Sequence, residues 1–213
     1  MKFRIYFSCI LMGILCLTGF SRLFDSKGYV TAMMDALYKG DYGDYAEFTG
    51  ISTAEASRYR EQWLSNATDN FITIMGAGEP SDEIRDRTTR LLKKIYANAR
   101  YEVSGENDHI QMTICPINLI TGSYDALNDY VSSFNAKNDD FAFAALTEQE
   151  FYDTYLDGIL TILESRLAEI AYEAPVCLDI IIDRDADGLY TIDSATLAEI
   201  QAHILLWPEA IHD

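Results

Sequence analysis

The chain has few of the side chains that usually bind transition metals or act as nucleophiles. Its 213 residues include only 3 histidines and 4 cysteines. His109, His203 and His212 lack the spacing of metal ligands, and no Cys-x-x-Cys pair is present. The sequence also lacks the Gly-x-Ser-x-Gly, His-Glu-x-x-His and phosphate-binding P-loop motifs. We therefore interpret the histidines as structural or solvated and predict no catalytic residue and no cofactor.

Basic residues are scarce in the second half of the chain. The whole sequence has 16 lysines and arginines against 34 aspartates and glutamates, for a formal net charge of −18. Residues 101–213 contain only Lys137, Arg166 and Arg184 against 22 acidic side chains. A surface of this charge repels nucleic-acid phosphates and anionic lipid head groups. We expect no nucleic-acid partner, and a protein or cell-envelope ligand instead.

Six basic residues are concentrated in one stretch of the first half. They are Arg85, Arg87, Arg90, Lys93, Lys94 and Arg100. One interpretation is a docking face for an anion or a membrane surface. The alternative, which we favour, is a solvated helix face that also offsets the acidic half of the chain.

The sequence has one long apolar run, at residues 5–20, and it follows Lys2 and Arg4. A basic start, an apolar stretch of this length and small residues after it are typical of an export signal. Residues 17–19 read Leu-Thr-Gly, the sequence that precedes the lipidated cysteine of bacterial lipoproteins, but Phe20 occupies the cysteine position. We expect residues 1–21 to be either a cleaved signal peptide or an N-terminal membrane anchor. We expect residues 22–213 to form a single extracytoplasmic domain. Only the N-terminal segment, residues 1–21, would contact the membrane.

Two of the cysteines, Cys115 and Cys177, fall in predicted strands of the exported domain. Export would permit a disulfide between them, because the compartments outside the cytoplasm are oxidising. The alternative is a pair of buried thiols that pack as small apolar residues.

Hydrophobic periodicity predicts an α+β fold. Helical patterns occupy residues 26–39, 53–75, 81–99, 123–134, 147–170 and 194–204, with a loop at 137–146 and a short aromatic element at 42–48. Capping boxes at Ser52 and Thr147 mark two helix starts. Alternating residues predict hairpins at 101–114 and 176–192. We expect the two hairpins to form a four-stranded antiparallel sheet, with amphipathic helices covering one of its faces.

Several short segments are similar to those of a known family. They are Gly-Tyr-Val at 28–30, Ala-Leu-Tyr-Lys-Gly-Asp-Tyr at 36–42, Tyr-Glu-Val at 101–103, Pro-Ile at 116–117 and Asp-Gly-Leu-Tyr-Thr-Ile at 187–192. With the leader, this order resembles lipoproteins of gut Gram-positive bacteria that carry a domain of unknown function. The resemblance implies a surface-exposed α+β domain of unassigned activity and supplies no catalytic residues.

The segment 183–188, Asp-Arg-Asp-Ala-Asp-Gly, resembles the start of a calcium-binding loop. Asp183, Asp185 and Asp187 fall at positions 1, 3 and 5, with glycine at position 6. The bidentate glutamate expected at position 12 is replaced by Ser194. The competing interpretation is a hairpin turn, since Asp-Gly between alternating apolar runs favours one. We favour the hairpin turn. The alternative is a calcium-binding module, for which these three aspartates are the candidate metal ligands.

Paired carboxylates allow a further alternative, an enzyme that hydrolyses cell-wall material. The pairs are Asp139 with Asp140, Glu148 with Glu150, and Asp153 with Asp157. In so acidic a region such pairs are typical of a solvated face. The aromatic element with Tyr42, Tyr45 and Phe48 is a candidate contact surface, although core packing is the commoner role of such residues. The sequence favours a non-catalytic binding domain at the cell surface.

Overall fold

The computed structural model of the protein describes residues 25–106, 109–184 and 190–207. It confirms the α+β class, with seven α-helices and five β-strands in the described residues. The chain divides into two compact units. The first comprises the described parts of Met1–Trp63, Ala99–Pro116 and Ala174–Ile204, and the second those of Leu64–Asn98, Ile117–Glu173 and Leu205–Asp213.

Helices at the start of the chain form one layer of the first unit. Helix α1 (Ser26–Met34) begins where the Asp25 side chain accepts a hydrogen bond from the Gly28 amide, and it continues into a π-helical turn at Asp35–Lys39. Helix α2 (Gly43–Thr49) and the first part of α3 (Thr53–Ile74) follow. The Ser52 hydroxyl accepts a hydrogen bond from the Glu55 amide, so α3 begins where its predicted capping box lies.

A three-stranded antiparallel sheet also belongs to this unit. Its strands are β1 (Arg100–Glu106), β2 (His109–Cys115) and β3 (Val176–Ile180), with β2 in the centre. The side chains of Val103, Met112 and Leu178 share a row and are buried, while the intervening residues are half-buried or exposed. Because side chains alternate between the two faces of a strand, one face of the sheet packs in the core and the other is exposed to solvent.

The prediction of a single four-stranded sheet is not met in the described residues. Strand β3 ends at Ile180, and Ile181, which is 55% exposed, interrupts the run that the sequence presents as one strand. A separate antiparallel pair follows, β4 (Ile182–Arg184) and β5 (Tyr190–Ile192). Helix α7 (Ser194–Ile204) completes the unit, and Asp193 caps it by accepting hydrogen bonds from the amides of Ala195 and Thr196.

The second unit is mainly helical. It contains the remainder of α3 and helices α4 (Asp82–Tyr96), α5 (Tyr124–Asp139) and α6 (Glu148–Ser165). The apolar stripe predicted for α4 is buried, as are residues of α3, α5 and α6 that share its core. Fully buried members include Phe71, Met75, Leu91, Leu92, Ile95, Leu127, Leu156, Ile159 and Leu160.

Helix α6 confirms its predicted start but not its predicted length. The Thr147 hydroxyl accepts from the Glu150 amide, and the Glu150 carboxylate accepts from the Thr147 amide at 2.8 Å. The helix ends at Ser165, and a 3₁₀ turn, Leu167–Glu169, follows. The chain is extended beyond this turn, where Tyr172 forms an antiparallel β-bridge with Ile117.

Candidate functional site

The acidic loop gives no assembled metal site in the described residues. Asp183 lies in β4, where its backbone pairs with that of Thr191, whereas Asp185 and Asp187 lie outside the described residues. The antiparallel pairing of β4 with β5 agrees with the hairpin interpretation. Across the part of the chain that the structure describes, no three His, Cys, Asp or Glu side chains converge as a metal site would require.

Three of the carboxylates proposed for acid–base chemistry have structural partners. Glu150 belongs to the capping box of α6, and the contact with Thr147 lowers the pKa of its carboxyl. Asp153 accepts a hydrogen bond of 2.8 Å from the Ser81 amide at the start of α4. Asp157 lies 2.6 Å from a guanidinium nitrogen of Arg87. These groups cap helices and pair charges within the second unit.

The basic stretch contributes ion pairs to the same unit. Arg87 of α4 contacts both carboxylate oxygens of Glu164 on α6, at 3.1 and 2.8 Å, in addition to its contact with Asp157. The hydrogen bond from Arg87 lowers the pKa of Glu164, and Arg85 pairs with Asp69. The predicted role of offsetting acidic side chains is therefore confirmed for Arg87.

The aromatic element that the sequence offered as a contact surface is α2. Tyr45 is only 4% exposed, and burial together with nearby Tyr59 raises the pKa of its phenol to about 12. The Phe48 ring packs edge-on against Tyr29 at 6.3 Å between centroids. A pocket beside Tyr45 has a volume of about 10 Å³, which holds about one water molecule. These residues therefore pack the first unit.

A larger groove lies at one end of the three-stranded sheet. Its volume is about 450 Å³, and it is lined by Gly105, His109, Ile110, Gln111, Asp179, Ile180 and Ile181. The side-chain amide of Gln111 donates a hydrogen bond of 2.9 Å to the carboxylate of Asp179, so these two polar side chains are partners of each other. Since His109, Gln111 and Asp179 are all exposed, the groove has the size of a ligand site without a buried polar anchor.

The segment 140–147, which we call the α5–α6 tip, exposes a run of apolar residues that the sequence interpretation treated as an ordinary loop. Residues 141–146 read Phe-Ala-Phe-Ala-Ala-Leu. Phe141 is 80% exposed and Leu146 is 38% exposed. Connecting loops are usually polar, so six consecutive apolar residues between two predicted helices could have indicated an exposed apolar surface.

Comparisons with known proteins indicate the fold alone. No protein-family model matches the chain, and no curated protein matches it. The fold is similar to the crystal structure of a putative lipoprotein, ycdA, from Bacillus subtilis subsp. subtilis str. 168, with a TM-score of 0.60 and 17% sequence identity. The similarity covers 87% of this chain and 57% of that one. Among the described helices, none has the length and apolar character needed to cross a membrane.

Proposed function

We propose that this protein is a non-catalytic, extracytoplasmic domain that is secreted or held at the outer face of the membrane by its N-terminal segment, where it binds a protein or another envelope component. The observation that carries the proposal is the leader, in which Lys2 and Arg4 precede the apolar residues 5–20. The neighbour of similar fold is a putative lipoprotein, which supports the same location.

The structural roles of the carboxylates support the non-catalytic part of the proposal. A general acid or base must reach a substrate, whereas Glu150, Asp153 and Asp157 are engaged by Thr147, Ser81 and Arg87. These contacts engage three of the six side chains that the hydrolase alternative would use.

Fusion of alkaline phosphatase after residue 24 tests the location, because that enzyme folds into its active form only where its disulfides can form. We expect an active fusion in a bacterial host. The matched control carries Leu15→Arg, which interrupts the apolar run and should abolish activity. An inactive fusion with the natural leader would exclude export.

The replacement of the lipidated cysteine by Phe20 provides a second test. Labelling with a fatty-acid analogue should leave the natural chain unmodified, because position 20 has no thiol to acylate. The variant Phe20→Cys restores Leu-Thr-Gly-Cys and should become labelled. Label on the natural chain would show a lipid attachment that this proposal does not include.

A further inference from the structure

We infer that the α5–α6 tip binds a partner protein whose apolar groove is bordered by lysine or arginine side chains. This inference rests on the proposed function, since it identifies the contact surface of the extracytoplasmic domain. Four properties of the tip support it, namely its exposure, its backbone geometry, its attachment to the second unit and its charge.

The first observation is the exposure of a large aromatic side chain. Phe141 is 80% exposed, the highest value among the exposed large hydrophobic residues of the described chain, where the others range from 38% to 55%. Ala142, Ala144 and Ala145 are exposed beside it, so the apolar surface is continuous along the tip. Clustered exposed apolar side chains indicate an interaction site more often than single ones do.

The second observation is the backbone conformation of Phe141. Its φ is 60°, the only positive φ of a non-glycine residue in the described chain. The Ala142 amide donates to the Lys137 carbonyl at 3.0 Å, and the Phe141 amide donates to the Asn138 carbonyl at 2.9 Å. These two bonds form a Schellman motif, in which the left-handed position normally belongs to glycine.

The same motif ends α3 with the usual residue. There the left-handed position is Gly76, with φ of 75°, and the Ala77 amide donates to the Ile72 carbonyl. The two helix ends therefore share one hydrogen-bond pattern, and only the end of α5 places a bulky side chain at the left-handed position. Because strain of this kind is retained mostly where it serves function, a contact made by the Phe141 ring explains its presence.

The third observation is that the tip is firmly attached to the second unit. The ring of Phe143 stacks on Phe134 of α5, with 4.5 Å between centroids, and packs edge-on against Phe151 of α6. The Ala144 amide donates a hydrogen bond to the Phe141 carbonyl, and the Leu146 amide donates one to the Phe143 carbonyl, so two further turns follow. A surface held in one conformation loses little entropy on binding, as an effective contact surface should.

The fourth observation selects the partner. Asp139, Asp140 and Glu148 border the apolar residues and are exposed. This acidic border favours a basic partner and opposes approach to anionic lipid. A second copy of the chain is disfavoured too, because each copy has a net charge of −18. A protein groove with an apolar floor and a basic border complements both features of the tip.

The test replaces Phe141 with the photo-cross-linking amino acid benzoylphenylalanine in the full-length protein in its own cells. The control places the same group at Tyr124, which is 40% exposed and lies at the other end of α5. After irradiation, mass spectrometry identifies the cross-linked peptides. We expect the probe at position 141, and not at 124, to join an apolar peptide flanked by lysine or arginine. Adducts with phospholipid or with the chain itself, or no adduct, would overturn the inference.

Purified protein and the cross-linked partner then provide a quantitative test with Phe141→Gly. This variant removes the ring and relieves the strain, so affinity should fall about tenfold or more. The midpoint of thermal unfolding should rise by about 2–4 °C. Tyr124→Ser should leave affinity unchanged. Unaltered binding by Phe141→Gly, or a lower unfolding midpoint, would contradict the assignment.

The two proposals fail in different ways. An inactive phosphatase fusion would exclude export whatever the cross-linking shows. An active fusion together with adducts only to lipid, or none at position 141, would leave the extracytoplasmic location intact and remove this surface.

Discussion

The Tyr101 hydroxyl donates a hydrogen bond of 2.6 Å to Oδ1 of Asp35, which joins the first strand of the sheet to the π-helical turn that follows α1. Lys39 lies 2.7 Å from the same carboxylate oxygen and 4.4 Å from the centre of the Tyr101 ring. Three side chains from two distant parts of the sequence therefore form one half-buried polar contact within the first unit.

Removing the Tyr101 hydroxyl should destabilise the protein measurably. In Tyr101→Phe the Asp35 carboxylate keeps Lys39 as its partner, so we expect a loss of about 1–2 kcal/mol in the free energy of unfolding. Tyr124→Phe is the matched control, because that side chain is exposed, and its effect should stay within about 0.5 kcal/mol. Urea denaturation measures both, and equal effects of the two substitutions would refute the prediction.

The same contact predicts a loss of stability at alkaline pH. Burial, and then the hydrogen bond to Asp35, raise the pKa of Tyr101 above its usual value, whereas an unfolded tyrosine ionises near pH ~10. Above that pH the unfolded chain binds fewer protons than the folded chain, so stability is complete below pH ~10 and falls as the pH rises towards the folded pKa.

Denaturation curves between pH 9 and 11 test this sign. Tyr101→Phe should show a shallower decline than the natural protein, because it removes one of the tyrosines whose pKa is raised. Tyr29 and Tyr96, whose pKa values burial also raises, should maintain part of the decline in both proteins. Parallel curves for variant and parent would count against the assignment to Tyr101.

The helices of this fold could be predicted because their signals are local. The stripe of α4 places Ile84, Leu91 and Ile95 on one side at helical spacing, and all three are buried. The capping box at Thr147 needs only residues 147–150, and it forms as predicted. Such patterns depend on the period of the helix and the hydrogen bonds of its first turn, which the sequence contains directly.

Strand pairing and the α5–α6 tip could not be predicted in the same way. Alternation shows that β3 has one buried face, but it does not say that β3 pairs with β2 and ends at Ile180. The left-handed backbone of Phe141 depends on how α5 ends, and local preference would assign that position to glycine. Tertiary contacts therefore decide the strand pairing, and the conformation of Phe141 runs against the local preference for glycine.

The contacts of Arg87 should differ in strength. Glu164 accepts two hydrogen bonds from Arg87, and its side chain is 34% exposed. Asp157 accepts one, and its side chain is 62% exposed. Double-mutant cycles should therefore give a coupling of about 1 kcal/mol for Arg87 with Glu164 and about 0.2–0.5 kcal/mol with Asp157.

The pH dependence provides a check on this ranking. Because Arg87 lowers the pKa of Glu164, the stabilisation is present above the unfolded pKa of about 4.3 and is lost as the pH falls through the folded pKa. Glu164→Gln should remove that part of the acid dependence. A larger coupling for Asp157 would reverse the ranking.

A side chain at Gly158 of α6 should be unfavourable while Tyr130 is present. A Cβ at this position would overlap the Tyr130 ring, whose hydroxyl lies 3.0 Å from the carbonyl oxygens of both Thr154 and Tyr155. We expect Gly158→Ala to cost about 1–3 kcal/mol through this overlap. In a Tyr130→Ala background the same change should be neutral, or stabilising by up to about 1 kcal/mol, because alanine favours helix. A cost that persists in that background would place the conflict elsewhere.

Cys115 and Cys177 should both be available to thiol reagents. Both are free in the structure, Cys115 half-buried and Cys177 exposed, so they are neither a disulfide nor a buried pair. Cys177 pairs with Thr113 across the strands, which places Cys115 two residues further along the same face. The native protein from residue 22 onward should therefore accept two iodoacetamide groups, first at Cys177 because its thiol is the more exposed. Cys177→Ser should leave one slower site. A native mass 2 Da below that of the dithiol form, as expected for loss of about two hydrogens on disulfide formation, together with no labelling before reduction, would show that a disulfide bridges these strands in the native protein.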